Sequence, residues 1–186
     1  ALDTGSSFEG MGASREAAFA ALAEPALFLV LATAVVQARG LSFAAAWSVV
    51  PGPAPAATLL AAAALFAVLL AENSRLPVDD PNTHLELTMV HEVMVLDHGG
   101  PDLAFILYGG AVKLFLFAAI LVHYLVPIPA ASPWRGTAVL VAGLLGVALL
   151  VGIVESAMAR LRLVRVPQFL IGASIVAALG LAVTLY

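Results

Sequence analysis

Five stretches of the chain carry almost no polar side chains: Ala17 to Gln37, Pro55 to Ala71, Leu103 to Val126, Thr137 to Val154 and Gln168 to Tyr186. Each is close to the roughly 20 apolar residues, about 17 to 25, that a helix needs to cross the hydrocarbon of a bilayer. The pattern predicts an all-α, polytopic membrane helix bundle of about five transmembrane helices. Between the second and third stretches lies Thr83–His98, helical in propensity but bearing Glu86, His91, Glu92, Asp97 and His98. A charge at the bilayer centre costs about 2.5–3.5 kcal/mol even on an insertion scale. This segment is therefore expected outside the hydrocarbon, as an interfacial amphipathic helix or against another subunit.

Composition agrees with the pattern. Hydrophobic residues make up 62% of the chain and charged residues 11%, with a mean hydropathy of +1.06. Soluble domains carry about a quarter charged residues, so the class is integral membrane protein. There is no cysteine, hence no disulfide and no thiolate to hold an iron–sulfur cluster or a hydrogenase metal. No cofactor is expected in this chain, and any redox centre belongs to a partner subunit. A formal charge of −4 with scattered arginines gives no nucleic-acid signal.

The loops predict an orientation. If Thr83–His98 does not cross, Arg15, Arg75, Arg160, Arg162 and Arg165 share one side, and Arg39 and Arg135 the other. The positive-inside rule places the richer side in the cytoplasm. A single membrane domain, 1–186, would then present three cytoplasmic loops: 1–16, the acidic 72–101 and the basic 155–167. The Gly- and Ser-rich opening, without an initiator Met, reads as an internal loop of a longer subunit, with Ser14 as N-cap of the first span. Pro51-Gly52-Pro53-Ala54-Pro55 is the turn between the first two spans.

Chemistry is concentrated in Glu72–Glu92, where Glu72, Asp79, Asp80, Glu86 and Glu92 gather around Arg75, His84 and His91. An acidic cluster at a membrane boundary suits proton or ion handling, or docking of a basic partner. Arg75, before a proline-stiffened turn, is expected to pair bidentately among Glu72, Asp79 and Asp80. Glu24 lies about 12 Å of helix rise beyond Glu16, inside the first span, and the following Pro25 should bend the helix there. Lys113 lies about 16 Å beyond Asp102 in the third span. Ionisable groups at such depth are functional candidates by default, and pairing between Glu24 and Lys113 is compatible with depth alone. The bland readings are a neutralised neighbour for Glu24 and a snorkelling side chain for Lys113. His123 is as readily a structural histidine as a relay, and Glu155 an ion-pair partner of Arg160 or Arg162. His84, His91 and His98 recur every seven residues, about 10.5 Å apart on a helix, too far to share one metal. No metal site and no catalytic residue are expected; the histidines suit proton exchange with the loop carboxylates.

Asp3-Thr4-Gly5-Ser6, Gly12-Ala13-Ser14-Arg15-Glu16, Glu24-Pro25, the Glu72–Glu92 stretch and Glu155-Ser156 resemble the membrane subunit of energy-converting (group 4) NiFe hydrogenases of the formate hydrogenlyase type, also called hydrogenase-4 component C. That subunit is related to the quinone-site membrane subunit of respiratory NADH dehydrogenase, complex I subunit 1. The core Glu72, Arg75, Pro77 and Asp79 is common to both branches; the continuation Thr83 to Glu92 is similar to the hydrogenase branch. The resemblance implies a subunit that holds a soluble NiFe arm on a bacterial or archaeal cytoplasmic membrane and couples its electron transfer to proton or sodium movement. It implies an ion path through Glu24, Glu72, Glu86, Glu92, Lys113 and Glu155, and loop and partner contacts from Arg15, Arg75, Asp79, His84 and His91. The implied partners are the hydrogenase large and small (iron–sulfur) subunits, which would hold the NiFe centre and clusters, together with antiporter-like membrane subunits and the lipid bilayer. The alternatives are a quinone-linked complex I subunit, a stand-alone ion carrier and a structural anchor.

Overall fold

The computed structural model describes residues 5–40, 55–79, 90–126 and 132–186, with the Glu92 side chain outside that description. These residues form helices joined by turns and loops, without strands, in the order α1 (Ser7–Ala38), α2 (Pro55–Glu72), a 3-10 turn (Glu92–Val95), α3 (Gly100–Leu125), α4 (Pro133–Ala157), a second 3-10 turn (Leu163–Arg165) and α5 (Val166–Leu185). Five helices are long and apolar enough to cross a membrane. Four of them open on a proline in the first turn: Pro55, Pro101, Pro133 and Pro167. There the missing N–H costs nothing, because the first turn has no acceptor for it, and the fixed φ suits a helix.

α1 differs most from expectation. It begins at Ser7 rather than after a loop ending near residue 16, and Ser14 is inside it, donating its hydroxyl to the Met11 carbonyl (2.8 Å) instead of capping. Its 32 residues extend about 48 Å, well beyond a hydrocarbon layer of roughly 30 Å. The extra turns are not apolar, and they are held by the loop before α3. Glu9, Gly12 and Glu16 share one helical face, and residues 90–98 lie against it. A Cβ at Gly12 would collide with the Val93 and Met94 side chains and come within 3.0 Å of the Val90 carbonyl. Only glycine permits this approach. The interfacial helix expected over Thr83–His98 is, in its described part, a short 3-10 turn at Glu92–Val95 that leads through Gly99 into α3.

α1, α2 and α5 pack most closely together. Small residues meet there: Ala23 and Ala26 of α1, Ala57 and Ala61 of α2, Ala173, Ala177 and Gly180 of α5. In lipid, helices gain little from burying apolar side chains, so close backbone approach supplies the attraction. At Gly180 a Cβ would stand 3.3 Å from the Ala57 carbonyl oxygen. α3 packs on α2 and α4 on α3, through Leu65, Leu69, Leu121, Val122, Val147 and Val151, with Val122 seated over Gly143. The outer faces of α3 and α4 remain exposed and apolar, including Phe105, Tyr108, Phe115, Leu145 and Leu149.

Candidate functional site

The site begins with how α2 ends. Ser74 takes a left-handed conformation (φ 51°), the Arg75 N–H reaches back to the Leu70 carbonyl (2.9 Å), and the Ser74 N–H reaches Ala71 (3.3 Å). This is a Schellman stop, with serine in the place glycine usually takes. It leaves Glu72 on the last helical turn and sends Arg75 away from it. Asn73 donates to the Leu69 carbonyl (2.8 Å), while its Oδ1 has no hydrogen-bond partner among the described residues.

Beyond that stop lies Asp79, only 4% exposed. Its Oδ2 accepts the backbone N–H groups of Val90 (3.2 Å) and His91 (3.1 Å), and its Oδ1 accepts from the Arg160 guanidinium (2.9 Å). The Leu161 N–H donates to the Pro77 carbonyl (2.8 Å) beside it. The loop after α2, the turn before α3 and the segment after α4 are thereby fastened at one point.

Four further pairs surround this node. Lys113 Nζ is 2.6 Å from Glu72, Arg75 is 3.4 Å from Glu155, His98 Nδ1 is 3.5 Å from Glu9, and His91 Nδ1 is 4.0 Å from Glu16. Glu9 is fully buried and also accepts the Asp97 N–H at 3.0 Å. A cavity of about 690 Å³ opens among them between α2, α3 and α4. Glu72, Arg75, Asp79, His91, Lys113 and Glu155 form its polar end. Leu114, Phe115, Leu144, Val147 and Val151 form an apolar wall.

Several expected pairings are replaced. Lys113 meets Glu72 and not Glu24, because α3 packs on α2 and its fourteenth residue falls level with α2's last turn. Glu24 and Pro25 are exposed on α1, and Glu24 makes no ion pair among the described residues. Arg75 does not chelate Glu72 and Asp79; the Schellman turn aims it at Glu155, and Asp79 is taken by Arg160. Glu155 accordingly pairs with Arg75 rather than with Arg160 or Arg162. Arg15 lies in α1 with its guanidinium 3.3 Å from the Met11 sulfur, and His123 lies in the last turn of α3, remote from the cluster. His84, Glu86 and Asp80 fall outside the described residues, as does the Glu92 side chain. Glu9, Glu16, Asn73 and Arg160 were not among the site candidates. The 9–12–16 spacing on one helical face was the available signal for the first two, visible only once α1 is extended to Ser7.

Helices of membrane length that collect ionisable residues at one end, around a cavity with one polar and one apolar wall, define a polytopic membrane subunit built to hold charge at its boundary. The family model described as NADH dehydrogenase matches residues 1–186, and the chain belongs to that family, the subunit 1 family of the respiratory-chain enzyme. It is thus a membrane-embedded subunit of a complex I-like, multisubunit oxidoreductase. No curated protein and no solved structure matches it significantly.

Asp79→Ala should be destabilising, since it removes the acceptor of one Arg160 hydrogen bond and of two backbone donors, each lost charge-assisted or buried bond costing about 1–3 kcal/mol. Asp79→Asn keeps an acceptor and should cost less. Thermal unfolding of the purified complex checks this order, and an Asp79→Ala protein as stable as wild type would contradict it.

Proposed function

We propose that this chain is the ion-coupling membrane subunit of its complex, and that the Glu72–Lys113 pair is the group whose protonation changes as a redox partner docked on the loop of residues 73–98 turns over. The observation that carries this reading is the pair itself, 2.6 Å apart at the end of α2 and opening on the same cavity as Arg75, Glu155 and His91. A carboxylate and an ammonium in contact at the edge of the cavity stabilise each other's charge, and a proton moved to or from either one leaves the other exposed to a change in field. A nearby charge change, such as reduction of a partner's cofactor, can drive that transfer. The similarity of Thr83 to Glu92 to the hydrogenase branch supports a partner arm with NiFe and iron–sulfur centres in its large and small subunits, alongside antiporter-like membrane subunits. On this reading the charged end faces the cytoplasm of a bacterial or archaeal cell, and Glu24 and Glu155 belong to the ion path.

A second reading has its own support. The cavity sets a polar end against an apolar wall, which suits an amphipathic quinone as well as water. In that case the same cluster would receive the protons of a quinone headgroup.

Lys113→Met and Glu72→Gln should each abolish proton or sodium movement in liposomes containing the complex purified through a tag on this chain, while the partner subunits still co-purify. Driving the assay with hydrogen or with a quinone separates the two readings, and undiminished ion movement in both variants would refute the coupling role. Orientation is tested separately: the chain has no cysteine, so Arg162→Cys, exposed after α4, should react with an impermeant thiol reagent in inside-out vesicles only. Labelling from the opposite face would reverse the topology.

A further inference from the structure

Residues 90–98 run antiparallel along the first turns of α1, with His91 opposite Glu16, His98 opposite Glu9, and the Gly12 contact between them. The two histidine–carboxylate pairs are not equivalent. Glu9 is fully buried and also receives the Asp97 N–H, so that pair is a fastening, although His98 Nδ1, 3.5 Å from Glu9, likewise makes no hydrogen bond among the described residues. The other pair is open on one side. His91 exposes 43% of its side chain, yet its Nδ1 is buried, faces Glu16 at 4.0 Å and has no hydrogen-bond partner among the described residues. A gap of 4.0 Å is about an ångström longer than a hydrogen bond, and Nδ1 is closed to water, so a small rotation of the imidazole or of the Glu16 carboxylate is what brings the two into contact. His91 also lines the cavity that holds Glu72 and Lys113.

We propose that His91 and Glu16 form the proton entrance to the Glu72–Lys113 pair, with His91 carrying protons between the outer surface of the loop and the Glu16 carboxylate. The inference rests on the ion-coupling reading given above. In the step, a proton binds Nε2, the other ring nitrogen of His91, and the proton on Nδ1 passes directly to Glu16 Oε2 as the rotation closes the gap. The N–H bond breaks as the carboxyl O–H forms; the imidazole is left neutral, and Glu16 loses its negative charge. Histidine suits this work because its two nitrogens can take up and release a proton on opposite sides of the ring near neutral pH. The groups facing the relay are Glu16 from α1, Asp79 through the His91 backbone N–H, and Glu72, Lys113, Arg75 and Glu155 around the cavity. Glu16 stands against His91, which lines the cavity of the Glu72–Lys113 pair, so neutralising Glu16 changes the field felt at that pair.

The test uses the complex purified through a tag on this chain, reconstituted in liposomes, with Lys113→Met as the reference for coupling itself. Glu16→Gln and His91→Gln should each slow proton movement about 100-fold, the lower end of the range for loss of a positioned acid–base group. The double variant should be no slower than the slower single one, because the groups act in series. Imidazole added to the medium should restore movement to His91→Gly and not to Glu16→Gln, a result that a purely structural role for His91 would not give. Wild-type movement in Glu16→Gln or His91→Gln, in preparations where Lys113→Met has lost it, overturns the entrance and leaves the coupling reading standing. So does a defect in an assembled His91→Gly complex that imidazole does not repair. If His91→Gly fails to assemble, Glu16→Gln, which preserves size and acceptor, decides alone. Normal movement in Lys113→Met overturns the coupling reading and the entrance together.

Discussion

The charged end of this bundle depends on one buried carboxylate. Asp79 takes three donors from two other parts of the chain, the Val90 and His91 N–H groups and the Arg160 guanidinium, and the Leu161 to Pro77 bond closes the same junction. A carboxylate so enclosed is stable only when its acceptor positions are filled, which makes it a strict organiser: the loop after α2, the turn before α3 and the segment after α4 must converge for it to be buried at all. Convergence sets His91 opposite Glu16 and brings the end of α4 near enough for Glu155 to meet Arg75. The Schellman stop at Ser74 does the remaining work, holding Glu72 on the helix while turning Arg75 outward.

Stability alone is a weak reason for such a cluster. Exposed or half-exposed ion pairs contribute about 0–1 kcal/mol, and buried ones are often no better than apolar residues of the same shape. Arg75–Glu155 and Glu72–Lys113 are half-exposed pairs bordering an open cavity, so neither is needed to fill a core. Asp79–Arg160 is different, its carboxylate buried and bonded on both oxygens. The contrast separates a rigid node, which positions the groups, from softer pairs around the cavity whose charge can change.

The fold was largely legible in the sequence, and the site only in part, for physical reasons. Apolar runs near 20 residues have few alternatives to a membrane helix, and a proline at each of four helix starts marks the boundary within a residue or two. α1 was misjudged at its beginning because Gly10, Gly12 and Ser14 are poor helix formers, and what makes them helical is a segment some eighty residues later in the chain. Lys113 was singled out by its depth, but depth counted along one helix could not reveal its partner, which depends on how α3 is displaced along α2. The exchange of partners among Arg75, Asp79, Glu155 and Arg160 has the same origin: pairs separated by 80 and 81 residues follow from tertiary packing, and local spacing favoured nearer carboxylates.

The central claim is that a carboxylate at the end of α2 changes protonation when the attached redox subunits turn over. Redox-induced infrared difference spectroscopy on the intact purified complex observes that event directly, since a protonated carboxyl absorbs apart from an ionised one. The account predicts a carboxyl protonation band that appears on reduction, shifts in heavy water and is lost in Glu72→Gln. A difference spectrum without such a band, or with one untouched by Glu72→Gln, would contradict it.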